Sequence, residues 1–209
     1  MEFAEAVRRR RMVRNFTTEP VDPAILDGIL DLARRAPSAG YTQGFAFLVV
    51  EGKEPRARFW DATFPAPERE GFRWPGLFTA PVIVLPCSSK AAYLDRYAEP
   101  DKGWTDRDPN RWPVPFWHID TGMATLLMLQ TCVDAGLGAL FFGIFKPKDF
   151  NAAFGVPDTH TPIGAIAIGY PQADEPSPSL KRGRRPLDEV VHRAHWGQLP
   201  LMSVEGVNG

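Results

Sequence analysis

Arg8-Arg9-Arg10-Arg11-Met12-Val13-Arg14-Asn15-Phe16 is the stretch from which the rest of the chain is read, because it sets five arginines within seven residues of a protein whose formal net charge is only -1. Solubility does not require that concentration, so something anionic is expected to sit against it. A planar guanidinium presents paired donors to a phosphate or carboxylate, and each charge-assisted hydrogen bond shielded from water contributes about 1.5–3 kcal/mol. The alternative is a solvated, basic end of an amphipathic helix with Phe3 and Val7 facing the core, since runs of like charge are usually surface.

With 209 residues, 44% of them hydrophobic and 23% charged, the chain is expected to be one globular domain spanning 1–209 with a real core. A pI near 6.4 argues against a nucleic-acid partner, because such proteins carry a basic surplus over the whole domain. Cys87 and Cys132 have no CxxC pairing, which suggests neither a zinc site nor a disulfide framework. No apolar run reaches the ~18 residues of a membrane span, and no apolar segment follows the arginines as in a signal peptide. A cytoplasmic location is expected.

Outward from the arginines, Glu2 to about Arg10 reads as helix and Phe16 to Val21 as extended chain. Asp22 is a natural N-cap with Pro23 at the first helical position, and Ile25, Leu26, Ile29, Leu30 and Ala33 repeat at the helical period up to Pro37. Pro37 to Gly44 is a loop with a glycine on each side of its polar centre: either a plain helix-to-strand connection or a close backbone approach to a flat ligand. Phe45–Val50 then reads as a buried strand, Glu54–Phe64 as a helix, Ala80–Cys87 as a second strand, Phe116–Ala135 as a long helix, Pro147–Phe154 as a short one and Gly164–Pro171 as a third strand. Core burial accounts for the stripe of Ile119, Met123, Leu126, Leu127, Cys132 and Val133 on the long helix, with a role in a subunit interface as the alternative. Ala139 to Phe145 runs apolar into a loop.

Between Ser88 and Pro115 the pattern dissolves into Tyr93, Tyr97, Trp104 and Trp112 among Asp, Arg, Gly and Pro. That mixture is too aromatic for a linker and too broken for a long helix, so a lid over a site and an aromatic-anchored surface loop are both open. Lys181-Arg182-Gly183-Arg184-Arg185-Pro186-Leu187 is a second arginine cluster, and one shared anion explains two such clusters more readily than coincidence. The stretch 190–209 reads as an arm for another subunit.

Familiar protein-borne chemistries are missing: no GxSxG elbow, no GxxxxGK[ST] loop, no HExxH, and glycines at 136 and 138 that follow a helix and so make no dinucleotide fingerprint. No metal site and no catalytic side chain are assigned. Chemistry is therefore expected to belong to a cofactor.

The arginine-rich turn followed by Phe16, Ala36-Pro37-Ser38 before a hydrophobic strand, Gly136-Leu137-Gly138 and Arg184-Arg185-Pro186-Leu187 come in the order found in the FMN-dependent nitroreductase family, which the chain resembles over almost its whole length. The resemblance implies an α+β fold, nitroreductase-like, with a mainly antiparallel central sheet flanked by helices, in an intertwined homodimer with two FMN sites at the interface. It also implies residue roles. Arg10, Arg11 and Arg14 match basic positions around the FMN phosphate and ribityl chain, with Arg182 and Arg184 closing on the phosphate. Pro37, Ser38 and Ala39 match a loop that packs along the isoalloxazine from the other subunit, with Gln43 just beyond. Phe142 and Gly143 match a segment whose backbone amides approach flavin N5 and O4, where they would stabilise charge on the reduced ring.

Two departures stand out: Met12 where many members have Ser, leaving only a backbone N–H for the flavin, and Tyr41 where many have Asn, narrowing the substrate side. The implied activity is ping-pong hydride transfer, in which NAD(P)H (NADH or NADPH) reduces FMN, leaves, and is replaced by a flat electron-poor small-molecule acceptor such as a nitroaromatic, quinone or activated alkene. The alternative is a protein that sequesters FMN without turnover. An open face over the flavin favours the enzyme, and a face filled by Tyr41, Tyr97 or Trp104 favours storage. Fold analogy alone does not choose the reaction.

Overall fold

The period of Leu26, Ile29 and Ala33 is realised in a helix, Pro23–Ala33, whose N-cap Asp22 accepts a hydrogen bond from the Ala24 amide at 2.8 Å, and those three side chains are buried. Such a cap stabilises a helix by about 1 kcal/mol. In this computed structural model, which describes residues 1–144 and 146–197, the helices are α1 Phe3–Arg9, α2 Pro23–Ala33, α3 Lys53–Thr63, α4 Ala66–Arg69, α5 Lys90–Ala98, α6 Phe116–Asp134 and α7 Pro147–Phe154. The strands are β1 Phe45–Glu51, β2 Val82–Ser88, β3 Gly138–Phe142, β4 Thr161–Pro162 and β5 Ala165–Gly169.

The sheet runs β1-β2-β5-β3 with β4 also paired to β2, and all of these pairings are antiparallel. Because successive side chains point to opposite faces of a strand, β2 and β5 feed two cores at once. Ile83, Leu85, Cys87, Ala165 and Ala167 pack with Phe59 of α3 and Phe150 of α7. Val82, Val84, Ile166 and Ile168 pack with α2 and with Met128 and Cys132 of α6. A sheet covered on both faces explains why these strands are apolar runs without polar alternation. This is the expected α+β architecture of an antiparallel sheet flanked by helices.

Three expectations are corrected. Ala139–Phe142 belongs to β3, paired from Gly138↔Gly169 to Phe142↔Ala165, where the sequence reads only as an apolar run leading into a loop; its partner lies well downstream, beyond the reach of local pattern. Phe3 and Val7 face outward, not into the core; the buried residue of α1 is Ala6. On α6 the core takes Ala124, Met128, Leu129 and Cys132, while Ile119, Met123 and Leu126 are exposed on one stripe with i, i+4, i+7 spacing. The stretch after Ser88 opens with a regular helix, α5, capped by the Ser89 hydroxyl, which accepts from the Ala92 amide.

The chain forms two compact units, Met1–Asp174 and a second that begins at Glu175. The second contains short 3-10 turns at Pro178–Arg182 and Leu187–Glu189, and Arg185 pairs within it to Glu189. Of the arm expected over 190–209, residues 198–209 lie outside the described residues. No helix among the described residues is long and apolar enough to cross a membrane.

Candidate active site

The arginine segment leaves α1 at Arg10 and runs along the outer edge of β3. Met12 forms a parallel bridge with Ala139, and the Val13 amide donates to the Ala139 carbonyl at 3.0 Å. Gly138 makes that approach possible, since a Cβ there would stand 2.9 Å from a Val13 methyl. Burial of Val13 and Phe16 fixes the register, and Arg14 between them is only partly buried. Its backbone amide donates to Asp174 Oδ2 at 2.7 Å.

Arg9, Arg34, Arg35, Arg69, Arg96, Arg107, Arg111 and Arg185 each pair with a carboxylate. Among the described residues, the side chains of Arg10, Arg11 and Arg14 pair with none. Arg10 and Arg14 are partly buried and Arg11 is exposed, so these guanidinium groups keep donors open to an external anion. Arg11 borders a cavity of about 310 Å³ together with Arg9, Gly136, Gly138 and Pro171.

Arg14 also reaches a second cavity of about 300 Å³, walled by Trp60, Phe64, Phe72, Trp74 and Phe142 and bordered by Gly143. Trp60 stacks on Phe142 with centroids 5.8 Å apart and planes 13° from parallel, and Phe78 meets Trp60 edge-on. Thus Arg14, Phe142 and Gly143, three of the residues singled out from the sequence, come together around a flat-walled apolar space. The aromatic wall itself went unread in the sequence. Its signal is present as six aromatic residues between Phe59 and Phe78, interrupted by Pro65, Pro67 and Pro75.

Pro37, Ser38, Ala39 and Gln43 do not line that cavity in the same chain. Their loop precedes β1, whose first residue pairs with Ser88, so it emerges at the end of the sheet where β3 also ends. Gly40, Tyr41 and Gln43 all have positive φ, at 62°, 53° and 52°, which costs free energy at the two non-glycine positions. Seven hydrogen bonds hold the turn: Gln43 N to Ser38 Oγ at 2.9 Å, Tyr41 N to the Ser38 carbonyl at 2.9 Å, Ala39 N to Asp120 Oδ2 at 2.8 Å, Arg96 Nε to the Gly40 carbonyl at 3.0 Å, Thr42 Oγ1 and Thr42 N to the Ala39 carbonyl at 2.6 and 3.2 Å, and Ser89 N to the Gly44 carbonyl at 2.8 Å. Tyr97 lies against Gly40 and packs with Trp104 and Trp112 at centroid distances of 4.9 and 4.5 Å. Tyr41 is 78% exposed. Arg182 and Arg184 belong to the second unit, where both are exposed.

The remaining reactive groups are quiet. Burial pushes the Cys87 thiol up to about 11 and the Cys132 thiol up to about 12, so neither is a thiolate near neutral pH. His118 Nδ1 lies 2.8 Å from Ser88 Oγ, and burial lowers its pKa. Among the described residues no group of three or more His, Cys, Asp or Glu could hold a metal.

Residues 7–170 match the nitroreductase family. A protein of Methanothermobacter thermautotrophicus provisionally named NADH dehydrogenase/NAD(P)H nitroreductase is 26% identical over 204 residues, covering 94% of this chain and 88% of its own. The crystal structure of a nitroreductase family protein from Clostridium difficile superposes with a TM-score of 0.69 at 26% identity, covering 93% of this chain and 99% of that one. A protein from Exiguobacterium sibiricum provisionally named nitroreductase, solved in complex with FMN, has the same fold, with a TM-score of 0.68 at 22% identity over 91% of this chain and 96% of that one. A profile spanning most of the chain, a relative aligned almost end to end and the shared antiparallel fold lead to one conclusion: the chain belongs to the nitroreductase family.

Proposed function

We propose that this protein is an FMN-dependent oxidoreductase that moves hydride from NAD(P)H to a flat, electron-poor small molecule such as a nitroaromatic, a quinone or an activated alkene. The observation that carries the reading is the convergence of Arg14, free of any carboxylate among the described residues, with the aromatic walls and the Gly143 backbone at one cavity. A flat ring with an anionic tail fits that chemistry: apolar walls for the ring, unpaired cations for the phosphate. The NAD(P)H nitroreductase name of the relative and the FMN complex of the structural neighbour point the same way.

FMN, when bound, supplies the hydride-transfer centre. In this reading Arg10, Arg11 and Arg14 hold the phosphate and ribityl chain, and the Met12 backbone offers one further donor. The Phe142–Gly143 amides stabilise negative charge at the ring edge. Pro37, Ser38, Ala39 and Gln43 come from a second copy of the chain, consistent with their absence from the cavity of their own. A homodimer also accounts for the exposed stripe of Ile119, Met123 and Leu126 and for Phe3 and Leu32, which share a surface depression with Leu127. A single flavin-binding domain over 1–209 acting in the cytoplasm completes the reading.

The rival, flavin storage without turnover, needs aromatic side chains over the ring. Tyr97 and Trp104 are instead engaged with each other and with Trp112, which favours the enzyme. The test is stopped-flow reduction of the flavin-loaded protein by NADH and by NADPH, followed by mixing with a quinone or nitroaromatic. Flavin that neither nucleotide reduces within seconds favours storage.

A further inference from the structure

Asp120 is a carboxylate 2% exposed, set on α6 with no cation paired to it among the described residues. Taking such a group out of water is costly unless its lone pairs are satisfied. Its Oδ2 accepts from two neutral donors: the Tyr93 hydroxyl of α5 at 2.6 Å and the Ala39 amide at 2.8 Å. Tyr93 is fully buried, and burial first, then the bond to Asp120, raise its pKa far above the ordinary phenol value, so it remains a donor at all working pH. A neutral side chain could pack α5 against α6. What the carboxyl adds is an oxygen that accepts from both the Tyr93 hydroxyl and a backbone amide of a strained loop.

That loop is where such an acceptor is needed. Tyr41 and Gln43 sit in the left-handed region, and Tyr41 is thereby turned outward with its ring in solvent. Holding such backbone requires that its surroundings over-determine it. Arg96, clamped by Asp101 at 2.6 and 2.8 Å, fixes the Gly40 carbonyl from the outside, and Asp120 fixes the Ala39 amide from the inside.

We infer that Asp120 and Tyr93 form a positioning pair that locks the Ser38–Gln43 turn so that Tyr41 and the loop backbone meet the ring-shaped ligands of the partner copy at a set distance. The inference rests on the reading of that loop as part of the flavin and acceptor site. Neither residue touches a ligand; they act through the Ala39 amide.

The test uses the full-length, flavin-loaded protein with NADH and 1,4-benzoquinone as probes. Tyr93→Phe removes the donor to Asp120, and Asp120→Asn removes the charge at nearly constant shape. Because either change in the core can impair folding, Ala39→Pro provides a second approach: it deletes the same amide from the surface side, at the first position of a 3-10 turn where proline is tolerated. Each folded core variant is expected to keep its FMN affinity within about twofold, because neither side chain touches the flavin, to lose about tenfold in kcat/KM for the quinone, and to change the visible circular dichroism of the flavin; Ala39→Pro is expected to show the same loss in kcat/KM and the same spectral change. Tyr41→Ala, which leaves Asp120, Tyr93 and the Ala39 amide in place, separates the inference from the reading beneath it. If Tyr41→Ala shifts the quinone KM while Ala39→Pro and every folded core variant retain wild-type kinetics and flavin spectrum, the positioning role is wrong and the site assignment stands. If none of these variants moves the kinetics or the spectrum, the loop is outside the site and both fall.

Discussion

The Arg14 guanidinium carbon lies 5.1 Å from the centroid of the Trp74 ring, and one of its terminal nitrogens donates to the Met12 carbonyl at 3.1 Å. The side chain is thus oriented by a ring face and a backbone oxygen, neither of which cancels its charge. A guanidinium held in place without a counter-ion keeps its attraction for an incoming phosphate while losing little entropy when the phosphate arrives.

Replacing Arg11 and Arg14 together by alanine is therefore expected to weaken FMN binding by at least about a hundredfold, taking roughly 1.4 kcal/mol or more for each lost charge-assisted contact. Circular dichroism should remain that of the folded protein, because neither arginine pairs with a carboxylate among the described residues. FMN titration by fluorescence quenching gives the answer; unchanged affinity in a folded double variant removes the anion-site reading.

The stripe on α6 leads to a second expectation. Met123→Glu sets a charge in the middle of Ile119, Met123 and Leu126, where a water-exposed surface would accept it at almost no cost and an apolar interface would not. Sedimentation should find the variant monomeric and low in flavin. A Met123→Glu protein that stays dimeric with full FMN occupancy would place the interface elsewhere.

The pH dependence of stability carries a signature of His118. Burial holds its folded pKa below the ordinary value of about 6.5, so the unfolded chain takes up a proton first as the solution is acidified. The stability linked to neutral His118 is complete above the unfolded pKa and is lost as pH falls through the folded one. Urea denaturation of the wild type and of His118→Gln at pH 7.5, 6.0 and 5.0 should show the wild type losing more stability on acidification. Parallel losses in the two proteins would mean that the imidazole near Ser88 is protonated without penalty.

How much of this was legible in the sequence depends on whether the signal was local. Asp22, Pro23 and the apolar period mark α2 because cap, first turn and buried face all lie within the short stretch from Asp22 to Ala33. Ala139–Phe142 carries no period long enough to declare itself, and its identity as a strand depends on β5. Phe3 and Ile119 show the same limit from another side: spacing reveals that one helix face is apolar, but not whether the chain's own core or a second molecule covers it. Arg14, Phe142 and Gly143 could be named in advance because family order carried them. Trp60 and Trp74 could not, since prolines break their stretch into pieces with no regular period. Asp120 was hidden for a simpler reason: a single acid on an apolar helix looks like a solvated position until Tyr93 and Ala39 are found around it.

Gly143 carries the last prediction. It follows Phe142, whose ring is stacked on Trp60 and packed edge-on against Phe59, so the residue before it is anchored in the aromatic core while Gly143 itself is exposed at the cavity rim. On the proposed reading this amide faces the edge of the ring where negative charge accumulates on reduction, and a preorganised donor there would stabilise the charged state without further reorganisation. Gly143→Pro deletes that N–H. The arginines are untouched, so FMN should still bind. The reduction potential is expected to fall, and reduction by NADH or NADPH to slow by roughly tenfold or more, as for other preorganised donors to a developing anion. Proline also restrains the loop, so full flavin content, unchanged oligomeric state and wild-type far-UV circular dichroism are the controls. With those satisfied, a wild-type potential together with a wild-type reduction rate would mean that the Phe142–Gly143 backbone does not face the reactive edge of the ring, and that the cavity at Arg14 holds some other part of the ligand.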